Sequence, residues 1–482
     1  MILFQPADAM RILPQIILCG FGILVMVLDP FVAPRRRCLL GWVALVGVLA
    51  AAGGTLRTSH NAGLAFGRSI SADNFSFYFF YLFLLVAALT LLGSVNYLER
   101  DSIQHGEFYA LILMGTAGMC FMASSTDLIM VFIGLEISSI STYILAGFKR
   151  QDALANEASL KYFLLGSFAT AFFLYGIAFV YGLTGTTNLL ELSGWLAHPA
   201  QWTTLPRVAL LLIFVGLAFK LSTVPFQVWT PDVYQGAPAP VTAFLSVGPK
   251  AAAFAVLLRI LLGGVSSAGS TSFWVIWVSA ILTMCLGNLA ALWQTNIKRL
   301  LAYSAIAHAG YVLVGVAAGS NEGAAAVLFY LTAYALMNVG AFVLIAHLAG
   351  HGERSTQIDD YIGLAYLKPG AAACLTVFLL SLAGFPTTAG FFGKFYLFRA
   401  AIHSHLIGLT IIALLNSVVS VYYYFRIIVA MYMREGKTET SIAPMPMALR
   451  TALAVSVVAI FYLGLFPNLF LTFSNTAGNP LP

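Results

Sequence analysis

The chain reads as an all-α, polytopic membrane protein of about fourteen transmembrane helices, with two inverted five-helix repeats that each contain a broken helix. Three observations predict this. First, 60% of the 482 residues are hydrophobic and only 9% are charged, with a mean hydropathy of +0.90, whereas a soluble domain carries roughly 25% charged residues. Second, apolar stretches of about 20 residues, the length that crosses a bilayer, recur along the whole sequence. Third, two of these stretches are overlong and carry helix breakers midway, and they lie five segments apart.

The segments fall near 12–28, 38–56, 75–98, 108–124, 127–148, 159–183, 206–236, 239–262, 272–294, 300–319, 323–349, 370–401, 406–433 and 451–473. The stretch from Met1 to Gln15 lacks a basic run and a small-residue cleavage site, so Ile12 to Leu28 is expected as a retained first helix. No loop is long enough for a folded extramembrane domain. The seventh segment contains Lys220-Leu-Ser-Thr-Val-Pro225 and the twelfth contains Ala383-Gly-Phe-Pro386-Thr-Thr-Ala-Gly390. Proline removes an amide donor and clashes with the preceding turn, so each of these helices is expected to split. Non-helical backbone at membrane depth is tolerated only where protein buries it or water reaches it. An odd number of crossings separates the two breaks, so the broken segments run in opposite directions, as inverted repeats require. The expected division is an N-terminal three-helix segment over 1–105, a first repeat over 106–265 (segments 4–8), a second over 266–435 (segments 9–13) and a C-terminal helix over 436–482.

Orientation follows from the basic residues. With the N-terminus outside, fourteen of the 24 Lys and Arg fall in cytoplasmic loops, among them Arg35, Arg36, Arg37, Arg100, Lys149, Lys298, Arg299 and Lys437, against five on the other side. Both termini are therefore expected outside. This also accounts for the pI near 9.0 without a nucleic-acid partner. Cys19, Cys38, Cys120, Cys285 and Cys374 are scattered without metal-ligand spacing, which argues against iron–sulfur, haem or zinc sites in this chain. No glycine-rich dinucleotide turn and no P-loop occurs, so no nucleotide site and no redox cofactor is expected here.

The candidate functional residues are charges in the wrong solvent. Lys220, Lys250, Lys394 and Glu136 lie inside membrane segments, where an ionised side chain costs about 2.5–3.5 kcal/mol on the insertion scale. Glu136 and Lys250 fall about nine and ten residues into their segments, hence roughly 14–15 Å deep at about 1.5 Å per residue. At that depth a side chain cannot snorkel to the headgroups. Burial disfavours a charge and a nearby opposite charge favours it, so a Glu136–Lys220 pair would keep both groups ionised and its separation would free the lysine's proton. Lys250 and Lys394 then receive and pass that proton through water, with His308 bridging the two lysines. The alternatives are a structural ion pair for Lys250, Glu136 and Lys220, snorkelling toward the outer face for Lys394, and a hydrogen-bonded core histidine for His308. Arg259 and Arg426 lie toward helix ends and read as snorkelling side chains. Tyr422 to Tyr424 read as packing residues, with hydrogen bonding to a water chain as the alternative. His347, His351 and Glu353 resemble a metal cluster in spacing but fall at a helix end facing the cytoplasm, so no metal is expected. Asp232 is placed at the cytoplasmic mouth.

The run Lys220-Leu-Ser-Thr-Val-Pro-Phe-Gln-Val-Trp-Thr-Pro-Asp-Val-Tyr-Gln-Gly-Ala-Pro-Ala-Pro-Val resembles the signature of the antiporter-like subunits of respiratory complex I, as do Gly134-Leu-Glu136-Ile and Asn296-Ile-Lys-Arg-Leu-Leu-Ala-Tyr-Ser-Ala-Ile-Ala-His308. Among such subunits the N type fits best, because Gly390-Phe-Phe-Gly-Lys394 places lysine where the M type has glutamate and the long lateral helix of the L type is missing. The resemblance implies a membrane-arm subunit of NADH:quinone oxidoreductase. It also implies that Glu136 with Lys220 governs proton uptake, that Lys250 is the central carrier and that Lys394 is the exit-side residue. FMN, iron–sulfur clusters, NADH and quinone are then expected in partner subunits, with an M-type subunit and small K- and J-type subunits as neighbours. Gln227 stands where many relatives have histidine, so that position is not expected to be essential. Two other functions remain open: a subunit of an Mrp-type cation/proton antiporter, and a structural spacer that does not pump.

Overall fold

The structure is a computed structural model and describes residues 6–196, 203–263, 269–435 and 443–478; Lys437 lies outside these residues, as does the side chain of Arg35. In chain order the helices are α1 (Pro6–Arg11), α2 (Leu13–Leu28), α3 (Cys38–Ser59), α4 (Asn74–Arg100), α5 (Gly106–Ser124), α6 (Leu128–Ala146), α7 (Ala153–Thr184), α8 (Leu189–Leu196), α9 (Thr204–Leu221), α10 (Trp229–Gly236), α11 (Ala239–Gly263), α12 (Gly269–Leu292), α13 (Ile297–Ala317), α14 (Asn321–Leu348), α15 (Leu364–Leu367), α16 (Pro369–Ala383), α17 (Ala389–His403), α18 (Ile407–Met433), α19 (Met447–Leu465) and α20 (Pro467–Ala477). Thirteen helices are long and apolar enough to span a membrane, and α16 is a shorter apolar helix. Counting the α16–α17 pair as one crossing gives the fourteen expected.

Both anticipated breaks are present. α9 ends at Leu221 with Ser222 in the left-handed region (φ 60°), and α16 ends at Ala383 with Gly384 in the same region (φ 89°). The chain resumes as α10 and α17 after seven and five residues outside α-helix. The two five-helix sets pack alike. α5 with α6, and α12 with α13, form tight hairpins, and α11 and α18 each close against the first helix of their own set. The hairpins need small residues: a side chain at Gly118 would stand 2.6 Å from the Ser138 amide, and one at Gly287 would stand 2.6 Å from the Ala307 amide.

The core lies along α11, α13 and α14, which are buried almost throughout. Outward faces of α3, α7, α12 and α18 present Leu49, Phe168, Trp274 and Val418, as expected where lipid replaces water. Three details depart from the sequence expectation. α7 begins at Ala153 rather than near 159, because the Asp152 carboxylate accepts the Leu154 amide at 2.9 Å and caps the helix earlier. The last segment is not one helix: Pro467 opens α20, which turns to pack on α14 and α4. A short antiparallel hairpin, β1 (Gly63–Ala65) with β2 (Ile70–Ala72), precedes α4. Basic residues from separate loops meet at one end of the bundle: Lys149 pairs with Asp101 at 2.7 Å, Lys298 with Glu353 at 2.6 Å and Arg299 with Asp232 at 2.7 Å.

Candidate functional site

The four helices that carry the singled-out lysines and histidine bring them to the interior. Lys220, Lys250, Lys394 and His308 are each no more than 5% exposed. Lys220 sits on the last turn of α9, Lys250 follows Pro249 within α11, His308 lies on α13 and Lys394 lies on α17. Pro249 leaves the carbonyl one turn earlier without its helical partner, a local weakness the sequence displayed beside Lys250.

No carboxylate bonds any of the three lysines among the described residues. Lys220 lies with its ammonium 4.9 Å from the ring centres of both Tyr143 and Tyr162, and donates to the Tyr162 hydroxyl at 3.4 Å. Trp229 stacks on Tyr162 at 4.4 Å, and its indole donates to the Phe219 carbonyl at 3.0 Å, capping the cut end of α9. Lys250 lies 5.4 Å from the Tyr234 ring and donates to the Ala305 carbonyl at 3.3 Å. Lys394 lies 5.0 Å from the Tyr311 ring and donates to Ser417 Oγ at 2.9 Å and to the Ala383 carbonyl at 3.0 Å. That carbonyl belongs to the C-terminal end of α16, where the helix dipole favours a cation.

The expected Glu136–Lys220 ion pair does not form in this structure. Glu136 is half-buried on α6, within electrostatic reach of Lys220, but its Oε1 has no protein hydrogen-bond partner. The Tyr143 ring faces Lys220 and feels the Glu136 charge, so an aromatic face supplies the lysine's contact. Such a contact returns about 2 kcal/mol when desolvated, comparable to the insertion cost. It leaves the carboxylate free.

His308 occupies the middle. Its Nδ1 hydrogen-bonds the Tyr330 hydroxyl and its Nε2 hydrogen-bonds the Tyr424 hydroxyl at 3.0 Å. It lies within electrostatic reach of both Lys250 and Lys394. Tyr424 also bonds Ser304, and Tyr423 donates to Asn288 Oδ1 at 3.0 Å. The preference for a packing role at Tyr423 and Tyr424 gives way to hydrogen bonding, since both hydroxyls join a polar network, while Tyr422 faces outward. Around this axis the buried Tyr234 and Tyr334 hydroxyls, Gln227 Oε1 and both polar atoms of Asn338 have no hydrogen-bond partner among the described residues. Such groups cost about 1–3 kcal/mol each when unsatisfied, so these positions demand water.

Other expectations meet varied outcomes. Arg259 does not snorkel. It is wholly buried and donates to both Asp73 oxygens at 2.9 and 3.0 Å, to Ser76 Oγ at 2.7 Å and to the Ala123 carbonyl at 2.7 Å. Desolvation at that position makes a bonded carboxylate the better solution. Arg426 reaches the carbonyls of Leu292 and Gln294 at the end of α12. Asp232 is held between Lys161 at 2.6 Å and Arg299 at 2.7 Å. Glu353 bonds Lys298, the Tyr97 hydroxyl and the Ala239 amide, while His347 Nε2 faces the Ala443 carbonyl at 3.2 Å. Burial pushes Glu353 up, but the charges of Lys298 and Lys149 and the bonds from Lys298 and Tyr97 leave its carboxyl below the ordinary glutamate value of 4.5.

Sequence reasoning missed Tyr143, Tyr162, Tyr234, Tyr311 and Tyr330 and misassigned Arg259. An unbroken i, i+4 row of Tyr330, Tyr334 and Asn338 on α14 was the available signal.

Residues 125–420 match the family model described as NADH:quinone oxidoreductase/Mrp antiporter, TM. NADH-quinone oxidoreductase subunit N 1 from Solibacter usitatus (strain Ellin6076) is 51% identical over 472 residues, covering 98% of this chain and 97% of that protein. A chain of respiratory complex I from Thermus thermophilus, solved with bound aureothin, is similar with a TM-score of 0.82 at 36% identity, over 95% of this chain and 98% of that one. A chain of the membrane-bound sulfane sulfur reductase, an archaeal respiratory membrane complex, reaches a TM-score of 0.87 at 27% identity, over 98% and 97% of the two chains. The backbone is thus shared between complexes of different chemistry, and sequence identity is what separates them. On that identity, held across almost its full length, the chain belongs to the NADH:quinone oxidoreductase subunit N family, the antiporter-like subunits of the respiratory complex I membrane arm.

Proposed function

We propose that this chain carries protons across a bacterial inner membrane as a membrane-arm subunit of NADH:quinone oxidoreductase, driven by redox chemistry in other subunits. The observation that carries this reading is the set of three interior lysines with no bonded carboxylate among the described residues. A buried amine locked to a carboxylate cannot give up its proton without orphaning a charge. An amine held by a tyrosine face and a neutral acceptor loses a cation–π contact and a hydrogen bond, to which Lys220 alone adds the attraction of the nearby Glu136 charge. Glu136 sets the charge state of Lys220, Lys250 is the central carrier, His308 with Tyr330 and Tyr424 links it to Lys394, and Lys394 delivers to the outside. Residues 106–265 and 266–435 act as two half-channels of opposite sense, meeting at Lys250 and His308. The basic end of the bundle faces the cytoplasm and both termini face the periplasm. FMN, iron–sulfur clusters, NADH and quinone belong to partner subunits, with M-, K- and J-type subunits as the expected neighbours.

The test is the assembled complex carrying Lys250→Met in sealed vesicles. The proton-to-electron ratio should fall while NADH oxidation by an artificial acceptor stays unchanged. An unchanged ratio would favour the non-pumping spacer. Purification without flavin or iron–sulfur absorbance would favour the Mrp-type antiporter.

A further inference from the structure

At the basic end a cavity of about 700 Å³ lies between the loops that follow α4, α6 and α14, lined by Asp101, His105, Lys149, Asp152 and His351. Its inner wall is an ion pair, Lys149 to Asp101 at 2.7 Å, and the same ammonium lies 3.9 Å from Glu353. Lys149 therefore stands between two carboxylates, one in the cavity wall and one behind it. Glu353 is 9% exposed and Lys298, its partner at 2.6 Å, is 1% exposed. Lys298 also donates to the Ala237 carbonyl at 2.7 Å, and Glu353 accepts the Ala239 amide at 2.7 Å. Both therefore sit on the corner where α10 passes into α11. On that corner, Tyr234 lays its ring 5.4 Å from the Lys250 ammonium. The Tyr234 hydroxyl and the Asn338 amide of α14 have no protein partner.

We propose that the buried Glu353–Lys298 pair, reached through the cavity walled by Lys149 and Asp101, is the inlet that loads protons toward Lys250. The proposal rests on the reading of Lys250 as a proton carrier and names where its proton comes from. In this structure the inlet is closed, because Lys298 and Lys149 both hold the Glu353 carboxylate ionised. When Lys149, already bonded to Asp101, moves farther from Glu353, Glu353 loses one of its two cations, swings off Lys298 and accepts a proton that cavity water relays from the aqueous phase. The proton then leaves Glu353 through water beside Tyr234 and Asn338 for the neutral Lys250 amine, and the Glu353 carboxylate returns to Lys298. The step begins once Lys250 has passed its own proton toward His308; only a proton then moves, Lys149 returns, and every group ends in its starting state except Lys250, which becomes an ammonium again. A lysine suits the switch because its ammonium is a compact point charge on a flexible stem, unlike the planar fork of arginine.

The experiment blocks the cavity in a complex that has already folded. Gln151 lines the cavity on its exposed rim. Gln151→Cys is introduced and the assembled complex in sealed vesicles is treated with a membrane-impermeant, sulfonate-bearing thiol reagent applied to the basic face, with treated unsubstituted complex as control. The expected result is a proton-to-electron ratio that drops on labelling to the level of Lys250→Met, with artificial-acceptor activity unchanged. Glu353→Gln should lower the ratio equally, and Glu353→Asp should restore part of it. A full ratio after complete labelling, or in assembled Glu353→Gln, with Lys250→Met still defective, would overturn the inlet and leave the carrier role of Lys250 standing. A full ratio in Lys250→Met would instead overturn the pumping reading itself. If Glu353→Gln fails to assemble, the labelling result decides alone.

Discussion

Lys220, Lys250 and Lys394 share one local solution: an aromatic face about 5 Å away and a neutral oxygen within 3.4 Å. The lysines and Glu136 were legible because a charge inside an apolar segment stands out wherever its partners are. The tyrosines around them were not, since 21 tyrosines are spread along the chain and only the fold decides which hydroxyl meets His308. Tyr330→Phe should leave the His308 Nδ1 site without its protein partner, at a cost of about 1–3 kcal/mol. It should also slow pumping while artificial-acceptor activity persists, which paired pumping and oxidation assays will read. Glu353 makes a pH prediction. Its carboxyl is held below the ordinary value, so its stabilisation is complete above about pH 4.5 and is lost as pH falls through the lowered folded value. The difference in melting temperature between the unsubstituted protein and Glu353→Gln should therefore be large near neutrality and shrink on strong acidification. A difference that grows on acidification would refute the assignment.

At the scale of elements, the helix breaks were legible because proline forbids the helical hydrogen bond by its own chemistry, at Pro225 and Pro386 alike. The left-handed residue that ends each first half, Ser222 or Gly384, places a helix C-terminus inside the bundle. The two ends are then treated differently: Trp229 donates to the α9 end, whereas Lys394 donates to the α16 end. The β1–β2 hairpin and the Arg259 site were not legible. Asp73 lies 186 residues from Arg259 in sequence, and periodicity carries no information about a partner that distant. Removing one member of a buried pair costs about 3–5 kcal/mol, so Arg259→Gln should lower the melting temperature strongly, measured by thermal unfolding in detergent. Arg426→Gln, which loses only carbonyl bonds at a helix end, should cost about 1–3 kcal/mol.

Over the whole molecule, two helix sets that pack in the same order surround a core of α11, α13 and α14, buried almost throughout, with Lys250 on α11, His308 on α13 and Lys394 on the adjoining α17. Neither set holds the axis alone, because Lys250 comes from the first, while His308 and Lys394 come from the second. On the proposed relay, distant redox chemistry would act by changing which charges face each other, and Glu136, half-buried on α6 with Oε1 lacking a hydrogen-bond partner among the described residues, is the group such a change would reach. The most direct measurement is the proton-to-electron ratio of the fully assembled complex in sealed vesicles when Lys220 is replaced by Met. The relay predicts a lowered ratio with NADH oxidation by an artificial acceptor intact. A ratio equal to that of the unsubstituted complex, in an assembly shown to be whole, would contradict it.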